Sequence, residues 1–90
     1  MEQTLDVSML EPCEPLDRTL AAIMELGEGD YLRVIHRREP HLLYPLLEKQ
    51  GFSRLTLPGN SDAAFKIYIW RQQDPVAEAA VQSATRSARS

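Results

Sequence analysis

The chain has 90 residues, enough for one domain, and its 43% hydrophobic and 26% charged content is that of a globular protein with a thin core. A single cysteine excludes an internal disulfide scaffold, and a net charge of −3 argues against a general attraction to nucleic acid or to an anionic membrane. No apolar run approaches the roughly 18 residues of a membrane span, and Met1-Glu2-Gln3-Thr4 lacks the basic start of a secretion signal, so the expected location is the cytoplasm.

Leu5, Val7 and Met9 alternate with Asp6 and Ser8, which predicts a first strand. Pro12 and Pro15 forbid a strand interior beyond it, and Pro15 suits the first turn of a helix, where its missing N–H has no partner to lose. Leu16, Leu20, Ile23 and Met24 follow helical spacing, Asp17 in the first turn suits the helix dipole, and Gly27 and Gly29 end the helix. Tyr31 to His36 reads as a second strand. The polar connection Arg37-Arg38-Glu39-Pro40-His41 follows. A second helix takes Leu42, Leu43, Leu46 and Leu47 as its apolar stripe, and Pro45 is tolerable only if that helix begins near Leu42. Gly51 fits its end, Phe52 to Leu57 a third strand, Pro58 to Asp62 a turn, and Ala64 to Trp70 a fourth strand. From about Gln73, Ala, Ser, Gln and Arg replace large apolar side chains. The expected organisation is a domain over 1–72 and a disordered or marginally helical tail over 73–90.

The order βαβαββ predicts an α/β two-layer sandwich, with both helices on one face of a four-stranded mixed sheet, because strand–helix–strand crossovers are right-handed. The other face is expected to stay open, with Tyr31, Arg33, Ile35, Arg54, Thr56, Lys66, Tyr68 and Trp70 on it. Tyr31, Tyr68 and Trp70 are its candidate partner surface. Aromatics interleaved with bases on a sheet stack nucleobases or dock proteins, and the acidic net charge favours a protein partner over nucleic acid.

Parallel first and second strands end at one edge, which is where open α/β sheets bind ligands. Cys13, Glu14, His36, Arg37, Arg38 and His41 converge there with both helix N-termini. Two arginines at helix N-termini favour a small anion. Ion pairs of Arg37 and Arg38 with Glu11, Glu14 and Asp17 are the competing explanation. A catalytic role for Cys13 needs a thiolate; a helix N-terminus promotes it and the neighbouring carboxylates oppose it. His36 and His41 lack a third ligand, so neither a metal nor another cofactor is expected, and no complete catalytic constellation marks an enzyme.

Leu10-Glu11-Pro12-Cys13-Glu14-Pro15-Leu16 and Gly29-Asp30-Tyr31-Leu32-Arg33-Val34 resemble the TusA/SirA-like sulfur-carrier superfamily. His36-Arg37-Arg38-Glu39-Pro40 and Leu43-Tyr44-Pro45-Leu46-Leu47-Glu48-Lys49-Gln50-Gly51-Phe52 are similar to an uncharacterised bacterial domain-of-unknown-function family (2249) with that fold. The resemblance implies sheet order 1-2-4-3 with the last strand antiparallel. It also implies a sulfur or thiol relay through Cys13, but only in part. Pro15 matches the second proline of the carriers' Cys-Pro-x-Pro motif, while Pro12 falls on their cysteine and Cys13 on their first proline. The closer family's redox associations imply an accessory role. Three functions follow as expectations: an accessory module binding an anion or a protein at the helix N-terminal edge, a thiol relay through Cys13, and recognition through the aromatic sheet face. Oligomeric state is left open by the sequence.

Overall fold

The computed structural model describes residues 2–7, 14–58 and 65–89, and of residues 14, 15 and 87–89 the backbone alone. The elements in chain order are β1 (Glu2–Asp6), α1 (Glu14–Met24), β2 (Tyr31–His36), α2 (Leu43–Lys49), β3 (Phe52–Leu57), β4 (Phe65–Arg71) and α3 (Pro75–Arg89). The strands form one sheet of order β1-β2-β4-β3, with β1 parallel to β2 and β4 antiparallel to both neighbours. The βαβαββ order and the mixed sheet are those the sequence predicts. Met9, Pro12 and the Pro58–Asp62 turn beyond Pro58 lie outside the described residues.

Alternation builds the first core. Leu32 and Val34 of β2 and Ile67 and Ile69 of β4 turn to one face, and α1, the segment just after it and α2 cover it through Ile23, Leu26, Leu43, Tyr44 and Leu47. Val7, Val34, Leu47, Ile67 and Ile69 are no more than 1% exposed, so this is where most large aliphatic side chains leave water. Pro45 is the third residue of α2, within the first turn, where the N–H groups have no intrahelical partner. Gly51 ends α2 at φ +84°, a left-handed conformation that a side chain would strain. Met24, placed by its spacing on the buried stripe of α1, is 67% exposed instead; the inward stripe runs through Thr19, Ile23 and Leu26. Met24 is the last residue of the helix.

The second face is where the segment expected as a disordered or marginally helical tail lies, and the structure gives it as a packed helix. Residues 75–89 form α3, which packs across the sheet through Ala77 and Val81, both fully buried. Beneath it lie Tyr31, Tyr68 and Trp70, flanked by Leu55 and Leu57. Asp74 starts the helix. Its Oδ1 accepts the Ala77 N–H at 3.0 Å, a helix cap followed by Pro75 in the first position. Its Oδ2 accepts the Gly29 N–H at 2.7 Å, which ties the start of α3 to the turn before β2. Those hydrogen bonds, from Ala77 first and then Gly29, hold the Asp74 carboxyl below its usual range. Gly29 sits at φ +81°, a left-handed backbone that a side chain would strain. The sheet is therefore covered on both faces.

Arg54 and Thr56 are likewise corrected. They pair with Ile69 and Ile67 and so face α2, while Leu55 and Leu57, paired with Tyr68 and Lys66, face α3. Strand period fixes this, because Phe52 is buried on the α2 side and residues two and four positions on share its face.

Candidate functional site

The parallel pairing of β1 and β2 brings Val7 and His36 to the same edge of the sheet. The chain re-enters helices from there, so the first turns of α1 and α2 stand over that edge. Between them lies a cleft of about 480 Å³ lined by Leu16, Asp17, Thr19, His36, Arg38, Glu39, Pro40, His41, Leu42 and Leu43. It is half-open, and its walls are mainly apolar.

Of the residues expected at this edge, His36, Arg38 and His41 line the cleft. Arg37 is exposed beside it and outside its lining. Glu14 is the first residue of α1, with its side chain not described, and Cys13 lies outside the described residues. Sequence reasoning missed Leu42. Its apolar character assigned it to the buried stripe of α2, but it occupies the residue before the helix and is 80% exposed at the cleft. Leucine at a helix cap, where a hydrogen-bonding side chain is the norm, was the available signal.

Glu39 accepts one side-chain hydrogen bond and has a histidine beside its other oxygen. Tyr44 donates its hydroxyl to Oε2 at 3.1 Å, and His41 Nε2 lies 3.7 Å from Oε1. The Tyr44 oxygen lies 2.6 Å from Thr56 Oγ1, and with its own proton on Glu39 it accepts from that hydroxyl. The Arg54 guanidinium covers the Tyr44 ring at 3.6 Å from the centroid. Burial raises the Tyr44 phenol above its ordinary value.

His36 Nδ1 accepts the backbone N–H of Arg38 at 3.1 Å, so the neutral ring carries its proton on Nε2. Burial lowers its pKa below 6.5. The unfolded chain thus binds this proton at a higher pH than the folded one. The His36 contribution to stability is complete above pH 6.5 and is lost as pH falls below that value through the folded pKa. A ¹⁵N-resolved titration should show the Nε2–H tautomer at pH 7 and a His36 midpoint below 6.5; a midpoint at or above 6.5 would contradict the burial assigned to it.

The ion pairs expected for Arg37 and Arg38 are not formed with any described carboxylate, including the exposed Asp17. Glu11 and the Glu14 side chain, the other expected partners, lie outside the described residues; among the described residues Arg38 brings to the cleft a cation without a carboxylate partner. Tyr31, Tyr68 and Trp70 are 6%, 3% and 8% exposed, so these aromatics form core under α3 and are not the open partner surface the alternation suggested. Tyr31 donates its hydroxyl to Glu2 Oε1 at 3.0 Å, and burial, reinforced by that carboxylate, pushes its pKa up to about 12.

Among the described residues, no group of three His, Cys, Asp or Glu side chains is placed to hold a metal ion, and no helix is long and apolar enough to cross a membrane. No curated protein and no solved structure matches the chain. A family match covers residues 4–71, spanning the sheet and the cleft and stopping short of α3. The chain belongs to the family described as Uncharacterized conserved protein (DUF2249).

Proposed function

We propose that the chain is a non-catalytic binding module that holds a small ligand in the cleft between α1 and the β2–α2 loop. The observation that carries this reading is the cleft itself: about 480 Å³, apolar on most of its wall, with Arg38, which has no carboxylate partner among the described residues, in its lining. That volume and lining are characteristic of small-molecule sites. The position supports it too, since it is the edge where α/β sheets place ligands. A cytoplasmic, redox-associated accessory role fits a module of this kind. The test is an amide-shift screen of the ¹⁵N-labelled chain against a mixed fragment set. Shifts should gather at residues 16–19 and 36–43. Hits scattered elsewhere, or none at all, would end the reading.

A sulfur or thiol relay of the TusA/SirA kind is the second reading. One observation favours it: the sheet order β1-β2-β4-β3 is the one that superfamily implies. The rate of Cys13 alkylation against pH is its test. A thiol pKa well below the free value of about 8.5 supports the relay, and one at or above it removes the relay.

A further inference from the structure

The charges on the cleft wall narrow the class of ligand. Glu39 accepts the Tyr44 hydroxyl on Oε2, and His41 Nε2 lies 3.7 Å from Oε1. Asp17 lies in the first turn of α1, where the helix dipole favours a carboxylate. His36 commits Nδ1 to the Arg38 backbone. The Arg38 side chain is the lining cation without a carboxylate partner among the described residues. Facing these groups is an aliphatic wall of Leu16, Leu42 and Leu43, with Leu42 80% exposed.

We infer that the cleft takes a small amphiphilic monoanion, an alkyl or aryl carboxylate whose apolar body lies along Leu16, Leu42 and Leu43 and whose carboxylate meets Arg38. This inference rests on the reading of the cleft as a ligand site. The apolar wall excludes a bare inorganic ion, which would leave that surface in contact with water. A dianion is disfavoured because, among the described residues, Arg38 is the lining cation without a carboxylate partner and the Asp17 carboxylate also lines the cleft. The guanidinium is well suited to the task, since its planar fork matches a carboxylate in two parallel hydrogen bonds.

The test uses the full ¹⁵N-labelled chain with four probes of equal chain length: octanoate, octanol, octylammonium and octyl phosphate. Octanoate should move the amides of residues 16–19 and 36–43 and bind about tenfold tighter than octanol, as expected for one charge-assisted contact. Arg38→Ala should abolish that advantage and leave octanol binding unchanged. Leu42→Ala should weaken both. Both side chains are exposed, and a thermal melt of each variant confirms that it folds. Equal binding of octanoate and octanol at those amides would overturn the carboxylate assignment while keeping the cleft as a ligand site. Tighter binding of octylammonium or octyl phosphate than octanoate would overturn it in favour of Asp17 or of a dianion. Silence of those amides to all four probes would overturn this inference, and the fragment screen then decides the fate of the site itself.

Discussion

Val81→Asp should strip α3 from the sheet and lower stability by about 3–5 kcal/mol. Val81 is fully buried in the cluster that holds Tyr31, Tyr68 and Trp70. A carboxylate without a partner does not stay in such a place, because leaving water costs it several kcal/mol. Detaching the helix is the cheaper response, and it sets the ceiling on the loss. That ceiling is large because the sheet side of the contact is aromatic. Exposing on the order of 150 Å² of apolar surface at about 25 cal/mol per Å² accounts for the lower part of the range. Trp70 is the only tryptophan and reports the event directly. Guanidinium unfolding followed by its fluorescence should show a lower midpoint and a red-shifted native baseline. A chain ending at Gln73 should give the same baseline. If neither emission nor midpoint moves, α3 does not cover this face.

The second large effect belongs to the other core. Ile67→Ala should destabilise the chain by about 2–5 kcal/mol. Ile67 is fully buried on the central strand, between Val34 of β2 and Thr56 of β3. Strands hydrogen-bonded on both sides cannot close around the missing atoms, so the lost transfer energy is joined by the cost of a cavity. Leu42→Ala is the matched contrast. At 80% exposure it should stay within roughly 0.5 kcal/mol of the parent while weakening ligand binding at the cleft. Chemical denaturation of both variants decides the matter. A loss below about 1 kcal/mol for Ile67→Ala would show that β4 is not the centre of the core.

Which side chains face water is the point on which local pattern and tertiary structure part in this chain. Tyr68-Ile69-Trp70 is a continuous apolar run on the central strand, and a run without alternation is the mark of a strand buried on both faces. Tyr31-Leu32 repeats the mark on β2, and Leu55 with Leu57 advertises a core face on β3. Taken together they required something to cover the second face. What concealed the cover was its composition. Ala77, Ala80, Val81 and Ala84 make an apolar stripe with no large side chain in it. Large groups on the sheet fill the space between the layers, so the helix that meets them must be lined with small ones. The start of that helix was legible in Asp74-Pro75, an acidic cap followed by the residue that suits a first helical position.

Local sequence by itself determined the limits of β2 and β3, the tolerance of Pro45 in the first turn of α2, the glycine that ends α2, and the βαβαββ order. Each depends on backbone geometry or on the alternation of neighbouring residues, and neither needs a distant partner. It also brought His36, Arg38 and His41 to one edge, because a parallel strand pair leaves no other place for those loops. Tertiary structure alone decided the rest. It seated α3 on the aromatics through an Asp74–Gly29 contact between residues 45 positions apart. It left Arg38 without an ion pair among the described residues and turned Leu42 outward to the cleft. These outcomes depend on which surfaces meet and which charges find partners. A local pattern restricts such choices, and packing makes them.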